Sequence, residues 1–152
     1  MLRPSAWQLG TSSAAAKDYE AGFARTFREL VHADVFDDFL EMAQALLLEG
    51  YIDASAVIAG STLEEHLRKL CNKHSISTET VRPNGSVETK KAAVLNNGLK
   101  QQPAYNQIEW RSVQEWLDVR NAAAHGHYGD YTIDQVKIMI DGLRGFFIRH
   151  PA

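Results

Sequence analysis

Apolar residues recur at helical spacing through most of this 152-residue sequence, and only four prolines interrupt them, at positions 4, 83, 103 and 151. Apolar side chains three or four residues apart lie on one face of a helix, whereas a half-buried strand needs strict alternation. The pattern therefore predicts an all-α protein, specifically an up-and-down helical bundle of about five or six helices. A chain of this length builds one core, so we expect a single domain over residues 13–150 after a flexible N-terminal segment, residues 1–12.

Start and stop signals divide the first half of the chain into three predicted helices. The first begins at Ser12 or Ser13 and carries a core stripe of Tyr19, Phe23, Phe27 and Leu30. The second has Asp34 as its N-cap, ends at Gly50, and has a wide apolar face of Phe36, Phe39, Leu40, Ala43, Leu46 and Leu47. The third is capped by Asp53, and its small-residue run from Ala54 to Ser61 would permit close helix approach before Leu63, Leu67 and Leu70.

The second half contains one long loop and three more predicted helices. Periodicity is lost over residues 75–88, which include the turn Pro83-Asn84-Gly85. A short helix is predicted over residues 87–95, with a break at Asn96-Asn97-Gly98. Capping-box spacings then start two helices. Asn106 and Glu109 open one that ends at Gly126 and carries Ile108, Val113, Trp116, Leu117 and Arg120; Thr132 and Gln135 open the last, which should bury Ile133, Val136, Met139, Ile140, Leu143, Phe146 and Phe147.

Composition excludes several classes of protein. Hydrophobic residues make up 45% and charged residues 23%, the balance of a globular chain. No apolar run approaches the ~20 residues of a membrane span, and residues 1–12 lack the apolar centre of a signal peptide, so we expect a cytoplasmic location and no membrane contact. A single cysteine, Cys71, excludes an intrachain disulfide and a cysteine-rich zinc module. A net charge of -3 excludes a broadly basic surface that would coat nucleic acid.

The segment from Arg120 to Tyr128 carries the best functional signal, because chemically capable side chains surround three alanines at a predicted helix end. Arg120 and His125 are five residues apart, which on a regular helix means about 7.5 Å of rise and roughly 140° of rotation. They do not share one face. Either a loosened last turn or a symmetry-related copy of the helix could bring both groups to one pocket, and the geometry favours a site made by two chains.

These residue types suit phosphodiester chemistry. A histidine that titrates near neutrality can move protons, and an arginine can hold a phosphate with two hydrogen bonds as charge accumulates on it. Two copies of the pair would supply one histidine as base and another as acid, while Asn121 could orient an imidazole or a phosphate oxygen. A metal site at His125 and His127 would need further ligands with recognisable spacing, so we expect no metal.

The sequence Arg120-Asn121-Ala122-Ala123-Ala124-His125, at the end of a penultimate helix in a small bundle, resembles the R-x(4-6)-H signature of HEPN domains. The resemblance covers roughly residues 33–149. It implies a dimeric bundle, often a metal-independent endoribonuclease of toxins or phage defence, without a cofactor. Its catalytic residues would be Arg120, Asn121 and His125, facing one cleft from both protomers. Many relatives have lost catalysis, so the alternative is an inactive nucleotide-binding, RNA-binding or protein-interaction module.

One departure concerns the subfamily. HEPN toxins with a nucleotidyltransferase antitoxin tend to carry R-x(4)-H-x-Y, whereas here His127 occupies that second position and the tyrosine is Tyr128. A partner that modifies this tyrosine is not supported by the spacing, and His127 could instead be a second titrating group. The resemblance makes RNA or a nucleotide the expected ligand, with Arg120, His127 and Tyr128 as contacts. An antitoxin or defence-system protein is the expected protein partner.

Other candidates have simpler explanations. Without the motif, Arg120 would be a surface cation paired with Glu115 or Asp118. Glu64, Glu65 and His66 fit a solvated helix face, although Glu64 or Glu65 could pair with Arg120 if the two helices pack. Trp116 is assigned to packing, and Trp110 is left open as a surface for base stacking. Cys71 is assigned to the core. A basic cluster near the long loop could follow an RNA backbone or simply aid solubility: Arg82, Lys90, Lys91 and Lys100.

Overall fold

The computed structural model describes residues 14–152, together with the side chains of residue 17, residue 22 and residues 28–152. This part of the chain forms five helices and one small hairpin, in the order α1 Ala14–Leu48, α2 Ile52–Lys73, β1 Glu79–Val81, β2 Val87–Thr89, α3 Ala92–Gln101, α4 Gln107–Ala124 and α5 Ile133–Arg149. The all-α helical bundle predicted from the sequence is therefore confirmed. The expectations of a flexible segment at residues 1–12 and of a helix start at Ser12 or Ser13 lie outside the described residues.

Helix α1 runs unbroken for 35 residues where the sequence predicts two helices. The predicted N-cap at Asp34 is wrong, because Asp34 is an interior residue of α1 and no glycine or proline interrupts residues 23–49. Leu30 was expected in the core but is 63% exposed. The side chains of its stripe partners Tyr19, Phe23 and Phe27 lie outside the described residues. The core face of α1 is instead formed by Phe36, Leu40, Ala43 and Leu47.

The turn from α1 to α2 is built by Gly50, as the sequence predicts. Gly50 has a positive φ of 90°, and the backbone N–H groups of Gly50 and Tyr51 donate to the carbonyls of Leu47 and Leu46. This pair of bonds closes a Schellman motif and ends α1. The N-cap of α2 is Tyr51 and not Asp53, which lies in the first turn of the helix. The small-residue start of α2 is confirmed as a close contact, since the buried Ser55 hydroxyl donates to the Ala43 carbonyl at 2.6 Å.

Residues 79–89 form an antiparallel hairpin in place of the predicted loop and helix start. Glu79 pairs with Thr89, and Val81 pairs with Val87 across the turn at Asn84 and Gly85. The strands are exposed throughout, so the hairpin adds little to the core. The following helix, α3, begins at Ala92 and continues through the predicted break. Asn96 explains this continuity: its buried side chain accepts from the Tyr105 hydroxyl and donates to the Trp110 carbonyl.

Helices α4 and α5 begin at the predicted caps. The Asn106 side chain accepts from the Glu109 backbone N–H at 3.0 Å, and Thr132 and Gln135 complete a reciprocal capping box. Most of the predicted buried residues of α4 and α5 are buried, including Trp116 and Phe146. Two predictions are wrong: Ile108 is 73% exposed and Ile133 is 47% exposed. Both lie in the first helical turn, Ile108 two residues after the N-cap Asn106 and Ile133 directly after the N-cap Thr132, and at these helix ends the side chains are left in solvent.

Helix α2 occupies the centre of the bundle and contacts α1, α3, α4 and α5. Its inward face is uninterrupted from Ala56 to Cys71 and includes Leu63, Leu67 and Leu70. His66, expected on a solvated face, is buried in this core with 2% of its surface exposed. Because α2 also packs along α4, it brings its own polar residues to the helix that carries the Arg120 motif.

Candidate active site at the end of helix α4

The motif helix α4 ends in a regular Schellman motif. The N–H of His125 donates to the Asn121 carbonyl at 3.0 Å, the N–H of Gly126 to Ala123 at 3.4 Å, and the N–H of His127 to Ala122 at 2.8 Å. Gly126 has the positive φ of 78° that this motif requires. The last turn is therefore regular, and the alternative of a loosened last turn is wrong. Arg120 and His125 keep the helical offset of about 140°, so the site formed by two copies stays as the prediction.

Arg120 packs directly against a glycine of α2. A β-carbon placed on Gly60 would lie 2.1 Å from the Arg120 Cγ and 2.2 Å from its Cβ, so only glycine lets the two helices approach this closely. The side chain of Arg120 is 25% exposed, and its Nε is buried with no hydrogen-bond partner among the described residues. Gly60 thus fixes the stem of Arg120 and leaves only the end of the guanidinium accessible.

A carboxylate of α2 holds the guanidinium. Arg120 Nη1 lies 3.4 Å from Glu64 Oε1, and the same nitrogen donates to the Asn121 side-chain oxygen at 3.3 Å. The predicted pairing of Arg120 with α2 is confirmed for Glu64, while Glu65 pairs with Lys69 at 3.5 Å. Asp118, one of the alternative partners, instead accepts from Gln114. An incoming phosphate would find an oriented arginine, and it would share that arginine with Glu64.

The remaining predicted site residues lie on the short connection after α4. His125 is the C-cap of the helix and is exposed, as are His127 and Tyr128. His127 Nδ1 lies 3.9 Å from an Asp130 carboxylate oxygen, and the Asp130 N–H donates to the His127 carbonyl to close a turn. The structure therefore brings Arg120 and Asn121 together and leaves His125 accessible at the end of the same helix. In the described part of the chain, Arg120 and His125 form no hydrogen bond with each other.

A tyrosine that the sequence analysis did not single out fixes this connection to α2. Tyr131 is 7% exposed, and its hydroxyl donates to the Asp53 carboxylate in the first turn of α2. Burial, aided by the neighbouring carboxylate of Asp53, raises the pKa of Tyr131. No local sequence signal marks this contact, because Asp53 has the residue type and position of a helix cap. Its actual partner is an aromatic hydroxyl 78 residues away.

The other candidates take the structural roles that the sequence analysis weighed for them. Cys71 is buried, and burial raises the pKa of its thiol, which fits a core residue and not a nucleophile. Trp116 is buried against Phe146 and Gly142. The indole of Trp110 donates to the Asn97 side chain and lies 4.5 Å below the Lys100 ammonium.

The basic cluster near the hairpin is partly neutralised. Arg82 makes two hydrogen bonds to Glu88, the shorter of 2.7 Å, and Lys100 faces the Trp110 ring. These contacts favour a solubilising role over a track for an RNA backbone.

Three comparisons bear on identity. No protein family, curated protein or solved structure matches this chain.

Within residues 14–152, no three histidine, cysteine, aspartate or glutamate side chains lie close enough together to hold a metal ion. No helix in this same range is long and apolar enough to cross a membrane.

Proposed function

We propose that this protein is a HEPN-like, metal-independent endoribonuclease of the toxin or phage-defence type. The observation that carries the proposal is the position of Arg120, which Gly60 and Glu64 hold beside Asn121 on the helix that ends in the exposed His125. Arginine that is fixed before the substrate arrives loses little conformational entropy on binding phosphate. The same helix end thus offers an oriented cation that can stabilise charge on a phosphate and a solvent-accessible histidine that can transfer a proton.

In this mechanism a ribose 2′-hydroxyl attacks the adjacent phosphorus. His125 takes the 2′-hydroxyl proton, the new bond forms between the 2′-oxygen and phosphorus, and the bond to the 5′-oxygen breaks. The products are a 2′,3′-cyclic phosphate and a 5′-hydroxyl, whose proton comes from the His125 of a second copy. Arg120 stabilises the negative charge that develops on the phosphorane-like transition state. Asn121 orients the guanidinium through the hydrogen bond already present.

An apolar groove on the surface of the bundle offers a contact for the second copy. The groove lies between α1 and α2, where Phe39 and Met42 are 42% and 49% exposed and Ile58 and Ser61 line the other side. Ser61, at one edge of the groove, is three residues before Glu64, the partner of Arg120. A symmetric dimer seated on this groove would bury the exposed apolar side chains of Phe39 and Met42.

The second candidate is a catalytically inactive HEPN-like module that binds RNA, a nucleotide or a protein. The 3.4 Å pair with Glu64 favours it, because a carboxylate that neutralises Arg120 also weakens the arginine as a catalyst at the phosphate. The net charge of -3 favours it too, since a free ribonuclease gains from positive steering of its substrate. An antitoxin or defence-system protein would be the partner of the active ribonuclease and of the inactive module alike.

The test is cleavage of a mixed structured RNA by the purified protein in excess chelator. We expect cleavage that leaves 2′,3′-cyclic phosphate ends and that falls at least about 100-fold in a His125→Ala variant, as for loss of a general acid–base group. His74→Ala is the matched control, because His74 is also an exposed histidine at a helix C-cap. Cleavage by the wild type and by both variants would place the activity elsewhere. Absence of cleavage, with binding retained, would favour the inactive module.

A further inference from the structure

A cleft lies next to the motif, at the start of α2. Here an open cleft of about 490 Å³ is lined by Tyr51, Asp53, Tyr128 and Tyr131. Tyr128 follows His125 by three residues, and Tyr131 ties the same connection to α2 through its bond to Asp53. The cleft is therefore continuous in sequence with the proposed catalytic histidine and is held in a defined shape.

Two of the tyrosines that line this cleft are exposed. The side chains of Tyr51 and Tyr128 are 63% and 58% exposed, whereas Tyr131 between them in the lining is buried. Exposed aromatic rings on a concave surface are the usual platform for an unpaired base, because every nucleobase has a face that can stack. The contrast between two exposed rings and one anchored ring indicates that Tyr131 has a structural role and that Tyr51 and Tyr128 are available to a ligand.

The charge in the cleft selects which part of a nucleotide can enter. Asp53 is partly buried and its carboxylate accepts one hydrogen bond, from the Tyr131 hydroxyl. An ionised carboxylate only accepts hydrogen bonds and has roughly four acceptor positions, so it can take further donors from a ligand. It repels a phosphate and attracts the N–H edge of a base. Guanine offers two adjacent N–H donors, which match a carboxylate, whereas the single N–H of uracil lies between two carbonyl oxygens that a carboxylate repels.

We propose that this cleft binds one unpaired nucleobase of the RNA, stacked on Tyr51 and Tyr128, with a preference for guanine set by Asp53. The inference rests on the proposed function for the identity of the ligand class, RNA, and not on cleavage. A base held here would fix the strand beside His125 and would make cleavage depend on the sequence near the scissile phosphate.

The experiment measures binding with RNA that cannot be cleaved. The probes are two fluorescently labelled pentanucleotides with 2′-O-methyl riboses, identical except for guanine or uracil at the centre, titrated against the full chain. We expect tighter binding of the guanine probe, and about tenfold weaker binding in Tyr51→Ala and in Tyr128→Ala through loss of one stacking contact. Tyr51→Phe keeps the ring and should bind as the wild type does. Asp53→Asn should remove the guanine preference and leave the uracil affinity nearly unchanged.

Folding and cleavage are followed separately. Thermal unfolding of each variant identifies a loss of fold. Tyr131→Phe is the second test of the cleft, because it removes the hydrogen bond to Asp53 and keeps Asp53 and both exposed rings; the folded variant should bind both probes more weakly than the wild type does. Equal affinity of the wild type and Tyr51→Ala, or a guanine preference that survives Asp53→Asn in a folded protein, would overturn the proposal. Unmodified RNA is then tested for cleavage: binding that depends on Tyr51 without cleavage keeps this site and removes the ribonuclease, and cleavage without such binding does the reverse.

Discussion

His66 makes the stability of this fold depend on pH. The imidazole is 2% exposed and packs against Phe36, Phe146 and Phe147, with ring centroids 5.5, 5.8 and 4.3 Å away. Its Nε2 lies 2.7 Å from the His150 carbonyl, so the neutral ring donates from Nε2. Its Nδ1 is buried and has no partner in the described part of the chain. Protonation would place a charge among aromatic rings, and burial accordingly lowers the pKa of His66 from 6.5 to about 4.

The direction of the effect follows from which state binds more protons. The unfolded chain binds a proton at His66 as the pH falls through 6.5, whereas the folded chain resists until the pH nears 4. The stabilisation is therefore fully present above the unfolded pKa and is lost as the pH falls towards the folded pKa. Linkage over these two pKa values gives a loss of about 2 kcal/mol between pH 7 and pH 5. Glu109, whose pKa is lowered by its hydrogen bond from Arg149, contributes only below this window.

The assay is urea unfolding of the wild type and His66→Gln at pH 7, 6 and 5, with His74→Gln as the control. Glutamine at position 66 can still donate to the His150 carbonyl but does not titrate. We expect His66→Gln to be less stable at pH 7, and its stability to fall about 2 kcal/mol less than that of the wild type on going to pH 5. His74 is exposed, so its variant should keep the wild-type dependence. An unchanged pH dependence in His66→Gln would refute the reasoning.

Three further predictions concern helix ends and the α2–α4 contact. Ser75 has a φ of 57°, a conformation that glycine adopts more easily, so Ser75→Gly should raise the free energy of unfolding by about 0.5–1 kcal/mol in chemical denaturation. Gly50 has a φ of 90°, so Gly50→Ala should lower the free energy of unfolding by a similar amount. Gly60→Ala should lower the free energy of unfolding by about 1–3 kcal/mol, seen as a lower melting temperature, and weaken the Arg120 contact, because the added carbon meets the root of that side chain and not its flexible end. A double-mutant cycle of Glu64→Gln and Arg120→Met should give a coupling free energy of about 1 kcal/mol; additive effects would show that the pair is not energetically coupled.

The parts of the fold that the sequence predicts are those set by local interactions. The caps at Asn106 and Thr132, and the stops at Gly50 and Gly126, depend on residues within one helical turn, and the structure has all four. The errors arise where a distant partner decides. Val87 extends as a strand because residues 79–81 pair with it, and a single segment cannot reveal that pairing.

The same distinction applies to helix continuity. Asp34 has the residue type of an N-cap, but a cap forms only where the preceding backbone leaves the helix, and nothing in residues 23–49 forces it to do so. Asn96 resembles a helix stop until Tyr105 and the Trp110 carbonyl satisfy its side chain in the core. In the sequence His66 also resembles a surface residue, because the backbone carbonyl to which it donates belongs to His150, 84 residues away.

The same distinction between local and distant interactions applies to the candidate site. The motif and the partnership of Arg120 with Glu64 follow from residue spacing and from packing of α2 on α4, and both could be stated beforehand. The role of Gly60 could not, because it depends on how closely the two helices approach each other.

The regular end of α4 constrains how the site can work: with a Schellman motif at Gly126, the helix has no local distortion that would turn His125 towards Arg120. Under the proposed mechanism, proton transfer at a phosphate held by Arg120 uses the histidines of two copies, and a two-fold partner supplies the second one. A mixed dimer of a wild-type chain with a His125→Ala chain should therefore lose most of the cleavage activity, whereas a site complete within one chain would keep about half of it.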